Sequence, residues 1–296
     1  MAENESWIVT GARGAIGGAL VRRLGSMGHS VTAVSRSAGN GCIEWDALWN
    51  LRDLGAGGTF VHCAWSTVPA SSEADPGRER NIDFPLLERI VNLLAASGGR
   101  WTLVFLSSGG AVYGECHGGA RTEADECHPI GWHGRMKLDA ERLLEQRVAA
   151  AGLDTVIVRP SNVYGFDVVE SRPQGLIPHA IHAAREGRAL TLWGDGSAIK
   201  DYVHVSDVLD GILAIVDGRQ TGIFNICSGV SISVRELLSE IEAVAGRRIE
   251  IETTPRREWD VQESRLSHAK LTALTGWVPR VSLREGIDRT LTSLSR

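Results

Sequence analysis

The segment Trp7-Ile8-Val9-Thr10-Gly11-Ala12-Arg13-Gly14-Ala15-Ile16-Gly17 runs from a short apolar strand directly into three glycines spaced Gly-x-x-Gly-x-x-Gly. Behind it, Ala19, Leu20, Val21 and Leu24 recur at helical spacing. Glycine lets the backbone turn tightly and approach a pyrophosphate, which free N–H groups and the dipole at a helix N-terminus then hold. A glycine triplet alone is compatible with a packing turn. With a strand before it and a helix after it, it predicts a dinucleotide phosphate site built by Gly11, Arg13, Gly14, Ala15, Ile16 and Gly17.

Working outward, the second strand, Ser30-Val31-Thr32-Ala33-Val34, ends at Ser35-Arg36, where an NAD-specific site places a carboxylate against the ribose 2′-hydroxyl. None stands there, and Arg36 with Arg13 offers charge-assisted bonds to a 2′-phosphate, so the expected cofactor is NADPH. Further strands follow at Thr59–Ala64, Trp101–Leu106 and Thr155–Val158, separated by a helix from Asn81 to Ala96 and another carrying Lys137. Short apolar strands alternating with amphipathic helices predict an α/β fold with a doubly wound parallel sheet, ligands lying at the C-terminal strand ends. Beyond about Gly165 the pattern is less regular. The expected division is a dinucleotide-binding domain over 1–165 plus about 203–228, and a smaller substrate lobe over 166–202 and 229–296.

The 296 residues suffice to bury a large core. With 31 basic and 36 acidic residues, a net charge of −5 and no basic run, nucleic acid and anionic membranes are not expected partners. The chain enters a strand by Trp7 without a leader and has no apolar run of spanning length, so a cytoplasmic enzyme, monomeric or homodimeric, is expected. Five scattered cysteines predict free thiols. Glu-Cys-His occurs at 115–117 and again at 126–128, and could offer zinc ligands, but the adjoining glycines and Pro129 read as loop and no metal site is expected.

Several blocks in order resemble the extended short-chain dehydrogenases/reductases of the NAD-dependent epimerase/dehydratase type: Gly11–Gly17, His62-Cys63-Ala64, Ser107–Gly114, Arg159–Gly165, Gly194-Asp195-Gly196, Lys200–Val205 and Phe224-Asn225-Ile226. The family includes nucleotide-sugar epimerases, dehydratases and 4-ketoreductases. The resemblance implies that Ser35, Asp46, Ala64, Pro160, Asn162 and Val163 line the cofactor, that Lys137 binds the nicotinamide ribose, and that Lys200 and Arg257 lie near a sugar nucleotide's pyrophosphate.

The departures carry equal weight. The family's catalytic Ser or Thr falls on Gly109 and its Tyr on His133, four residues before Lys137. Tyr113, Tyr164 and Tyr202, the only tyrosines, are not followed by a lysine at that spacing. His133 is either a substitute acid or a space-filler beside the nicotinamide. An imidazole, ordinarily near 6.5, is depressed by burial beside a cation and makes a poor donor. Ser107 and Ser108 could rotate in as donors, with Ser108 taken as a catalytic and substrate-binding candidate, but a hydroxyl without an activating partner is a weak acid.

The remaining proton source is the substrate, as in a ketone bonded to an internal phenol. The cleft positions Trp65, Trp132, Trp193 and Trp259 suit flat ligands, while Trp7, Trp45, Trp49, Trp101 and Trp277 are expected in the core. These features resemble the atypical angucyclinone ketoreductases. The expected function is therefore NADPH-dependent reduction of a polycyclic aromatic polyketide ketone in antibiotic biosynthesis, its substrate meeting Trp65, Ser108, Gly109, Trp132, His133, Asn162, Trp193, Lys200 and Arg257. The alternatives are a nucleotide-sugar 4-ketoreductase or epimerase and a non-catalytic NADP(H) sensor.

Overall fold

A computed structural model describes residues 6–51, 53–166 and 175–293. Its strands are β1 (Ser6–Thr10), β2 (Ser30–Ser35), β3 (Cys42–Glu44), β4 (Gly57–His62), β5 (Arg100–Leu106), β6 (Asp154–Pro160), β7 (Asn162–Tyr164), β8 (Leu190–Trp193), β9 (Ile199–His204), β10 (Gly222–Ile226), β11 (Ser231–Ser233), β12 (Ile251–Thr254) and β13 (Glu263–Ser264). The chain forms two compact units, the first comprising Met1–Ser108, Trp132–Arg159 and Ile212–Phe224, the second Gly109–Gly131, Pro160–Gly211 and Asn225–Arg296.

The first unit is the expected α/β fold with a central seven-stranded sheet in the order β10-β6-β5-β4-β1-β2-β3. From β3 to β6 the neighbours pair in parallel, with Val9 opposite Ala33 on one side and Val61 on the other. A parallel sheet buried on both faces reads as unbroken apolar runs rather than alternation, and Leu103, Val104 and Phe105 are accordingly all buried. The order reverses between β1 and β4, the switch point at which such sheets open a crevice for ligands. Helix Arg78–Ala96 begins three residues before the expected Asn81 and packs Leu87, Ile90 and Leu94 against Phe60, Leu103 and Phe105. Of the tryptophans expected inside, Trp7 and Trp101 are buried here, and Trp45 and Trp49 pack on this core from its edge.

In the second unit β9 is central, pairing with β11 and β13 through Ile199–Asp201 and with β7 through Tyr202–His204. β8 and β12 form a separate parallel pair. Helices Leu176–Glu186, Val234–Ala245 and Leu283–Ser293 supply a core containing Ile177, Ile181, Leu237, Ile241 and Ile287. A reciprocal cap starts Val234–Ala245: the Ser233 hydroxyl accepts from Glu236 N–H while the Glu236 carboxylate takes the Ser233 N–H. Segments 109–131, 160–165, 203–211 and 225–228 belong with this unit, whereas the sequence places them with the dinucleotide-binding domain. All five cysteines are free thiols. Among the described residues no helix is long and apolar enough to cross a membrane.

Candidate active site

Gly11 leaves β1 with φ at +67°, and a β-carbon there would lie 2.8 Å from the Ala64 nitrogen. A β-carbon on Gly17 would overlap the Gly11 carbonyl oxygen. Backbone therefore approaches backbone closely at both glycines, and the loop is closed by Gly14 N–H donating to Gly11 O at 2.8 Å. Helix Ala15–Ser26 has exposed Gly14 as its N-cap and no side-chain cap, leaving first-turn N–H groups to a ligand. This cradle of free donors and missing side chains fits a dinucleotide pyrophosphate, with Ala15 and Ile16 in the opening turn.

At the adjacent corner Arg13 donates to Ser37 Oγ at 2.8 Å, and Ser35 Oγ donates to Ser37 O at 2.5 Å. Arg13 and Arg36 are both exposed. The carboxylate in register with Ser35 is Glu44, which accepts from Ala38 N–H at 3.0 Å. Asp46 is exposed in the short helix Trp45–Trp49 that follows.

Lys137 and His133 rise from the start of helix Trp132–Ala151, whose first N–H, that of Trp132, donates to the Glu73 carboxylate. Lys137 is 6% exposed. Its Nζ donates to Leu106 O at 2.7 Å and lies 3.8 Å from the centre of the Trp65 ring and 4.8 Å from that of Phe105. Two buried acids stand near it on helix Arg78–Ala96. Asp83 accepts from Ser66 N–H (3.0 Å) and Ser66 Oγ–H (2.5 Å), and Glu79 accepts from Thr67 Oγ–H (2.6 Å).

Burial lowers Lys137 to about 7, with Asp83, Glu141, Cys63 and Glu79 opposing it. Burial and then the Lys137 charge lower His133 to about 3, so its imidazole is neutral. Burial also raises the Cys63 thiol to about 12, which removes it as a nucleophile at neutral pH. Trp65 Nε1, Trp132 Nε1 and His133 Nδ1 are buried without a hydrogen-bond partner among the described residues, donors or acceptors left for a ligand.

Ser107 does not rotate toward a substrate. Its hydroxyl donates to Glu141, which also takes the Arg159 guanidinium through Nε at 3.1 and 3.2 Å and Nη2 at 2.5 Å. Ser107, Glu141 and Arg159 are all buried. Ser108 is half-buried, and buried Gly109 heads the short helix Gly109–Val112.

The remaining expected residues lie in the second unit. Asn162 and Val163 are in β7 after buried Pro160, and Asn162 Nδ2–H donates to Asp201 O at 2.9 Å. Lys200 is not an open cation, since Nζ donates to Val261 O and pairs with Asp260 at 3.2 Å, bracing that loop. The Arg257 guanidinium lies 4.0 Å from the Trp193 ring centre and 5.0 Å from that of Trp259. Trp193 is 46% exposed. Sequence reading missed Glu73, Glu79, Asp83, Ser66, Glu141 and Arg159. Helical spacing was the available signal, because Glu79 and Asp83 precede Leu87 on one stripe and Glu141 follows Lys137 by four.

A model of the NAD dependent epimerase/dehydratase family matches residues 7–227. A UDP-glucose 4-epimerase of Mycolicibacterium smegmatis is 30% identical, with 96% of each chain covered. A GDP-6-deoxy-D-mannose reductase of Pseudomonas aeruginosa is 28% identical over 77% of each. The structure of UDP-glucose 4-epimerase from Thermotoga maritima with UDP-glucose matches with a TM-score of 0.89 at 26% identity, covering 98% of both chains. That of the Thermus thermophilus UDP-glucose 4-epimerase with NAD gives 0.88 at 26%, covering 98% and 99%. By name these four relatives act on nucleotide sugars, and none is a polyketide ketoreductase.

Proposed function

Since the chain belongs to the NAD dependent epimerase/dehydratase family, we propose that it is a nicotinamide-dependent oxidoreductase reducing a keto group on a nucleotide-linked sugar. The observation that carries this reading is Arg257 stacked on Trp193 and Trp259, a cation for a diphosphate beside an exposed indole face for a base. His133, at about 3, is too weak a base to stand in for the family's Tyr. A bound nicotinamide dinucleotide supplies the hydride. The chain's own residues hold the pyrophosphate at Gly11–Gly17, exclude water around Trp65 and Phe105, and keep Lys137 fixed on Leu106 O.

Calorimetry with thymidine and uridine diphosphates tests the substrate class. Micromolar binding is expected, weakened about 10- to 100-fold in Arg257→Ala by loss of a charge-assisted contact. A second reading, reduction of a polycyclic aromatic ketone, is favoured by one feature: Gly109 and His133 stand where the family carries Ser or Thr and Tyr, so a substrate with its own phenolic proton would suit the site. Failure of both diphosphates with binding of a tetracyclic hydroxyquinone would reverse the order of the two readings.

The same reading takes the cofactor to be NADPH, because Arg13 and Arg36 border the corner after β2 and Glu44 is engaged by Ala38. NADPH is expected to bind at least about tenfold more tightly than NADH, and Arg36→Ala to lose most of that preference. Equal affinities in the unmodified protein would reject it.

A further inference from the structure

We propose that Asp83 and Glu79 are positioning residues of the dinucleotide site: they pin the strap 64–74, between β4 and helix Arg78–Ala96, so that it bounds the nicotinamide half of the cofactor. This rests on the reading of the chain as a nicotinamide-dependent oxidoreductase and is independent of its substrate.

The strap meets the glycine turn at one end and the lysine-bearing helix along its length, all within the first unit. At its start the Ala64 backbone abuts the turn, close enough that a β-carbon on Gly11 would lie 2.8 Å from the Ala64 nitrogen and 2.9 Å from the Cys63 carbonyl carbon. One residue on, the Trp65 ring packs on Phe105 with centroids 5.8 Å apart, and its centre lies 3.8 Å from Lys137 Nζ. In the short helix Pro69–Ala74, Glu73 takes the Trp132 N–H and so holds the start of the helix that carries His133 and Lys137.

Two carboxylates grip the middle of the strap. Asp83, 2% exposed, accepts both the backbone N–H of Ser66 at 3.0 Å and its hydroxyl at 2.5 Å, and Glu79, 0% exposed, accepts the Thr67 hydroxyl at 2.6 Å. The acids stand one helical turn apart and so hold consecutive strap residues. Their stripe continues as buried Leu87, Ile90 and Leu94, and carboxylates there carry a desolvation cost that apolar side chains would not. What they add is direction. Apolar contact is non-directional and tolerates sliding, whereas a hydrogen bond to a backbone N–H and to its own side chain fixes the path of the chain at that residue.

Sheet order says which half of the cofactor the strap meets. β4 and β5 lie on one side of β1, and β2 and β3 on the other. The corner of Arg13 and Arg36, read above as the 2′-phosphate site, is on the β2 side. A dinucleotide whose pyrophosphate lies on the glycine turn therefore extends its nicotinamide half over the ends of β4 and β5, against the strap.

Calorimetry on the full chain with NADP and NAD, and with the adenine-side fragments AMP and adenosine 2′,5′-bisphosphate, separates positioning from general weakening. Thr67→Val and Ser66→Ala are each expected to lower dinucleotide affinity about 10-fold or more, while fragment affinity changes less than about twofold. Thr67→Ser, which keeps the hydroxyl, should restore dinucleotide affinity to within about threefold of the unmodified protein. The double variant Thr67→Val with Glu79→Met replaces the buried polar contact by an apolar one, so its urea midpoint should rise above that of Thr67→Val while dinucleotide affinity stays low. If Thr67→Val alone does not fold, the double variant and Ser66→Ala carry the comparison. Recovery of affinity along with the midpoint, or fragments weakened as much as dinucleotides, would make the two acids purely structural and overturn the proposal. Unchanged dinucleotide affinity in Thr67→Val and Ser66→Ala overturns it as well. If the unmodified protein binds neither dinucleotide, the oxidoreductase reading falls and this proposal with it, whereas the other outcomes judge the strap alone.

Discussion

Glu141→Leu is expected to destabilise the first unit by about 3–5 kcal/mol, the usual result of removing one partner from a buried ion pair. The Arg159 guanidinium would keep its charge, buried, with its carboxylate gone, and Ser107 would lose its acceptor. Against a total stability of roughly 5–15 kcal/mol, that is a large share of the whole and should lower the urea midpoint markedly. Denaturant unfolding followed by circular dichroism checks it. The double variant Glu141→Leu with Arg159→Met should recover most of the loss, since paired apolar residues of similar volume often match a buried pair. A loss below about 1 kcal/mol in the single variant would mean that the pair is far less desolvated than the geometry indicates.

Gly17→Val is expected to abolish dinucleotide binding, with affinity falling at least about 100-fold, the equivalent of about 2.7 kcal/mol. A new side chain would meet backbone, the Gly11 carbonyl group and Thr10 O, and not the far end of a flexible chain that could swing aside. The turn must open to relieve the overlap, and its N–H groups then no longer converge on one phosphate. Calorimetry with NADP on folded variant protein is the measurement. Binding within a few-fold of the unmodified protein would show that the turn adapts.

The parts of this molecule that are local in sequence were legible in it. β1, the glycine turn and the following helix are adjacent, and each glycine answers a backbone demand visible in the spacing. The apolar runs at Leu103–Phe105 announced a strand covered on both faces. Lys137 and the two departures at Gly109 and His133 could be placed by counting.

The chemistry around Lys137 was hidden because it is assembled from separate elements: Asp83 and Glu79 look like ordinary surface acids until helix Arg78–Ala96 is docked, and then they lie on its buried stripe. The same applies to Arg159, which ends a strand that reads as purely apolar until Glu141 is brought beside it. Lys200, expected near a pyrophosphate, is engaged by Asp260 and Val261, 60 and 61 residues further along the chain.

The burial of Lys137 also links folding to proton release. Its folded value near 7 lies below the ordinary 10.4 of a free lysine, so between those two pH values the unfolded chain carries a proton that the native state has shed. Below pH 7 both states are protonated and the native state bears the full penalty of a desolvated cation. As pH rises toward 10.4 that penalty is relieved and this residue makes the fold more stable, the reverse of a lysine that gains an ion pair on folding. The condition that keeps Lys137 charged is thus the one under which it weakens the fold.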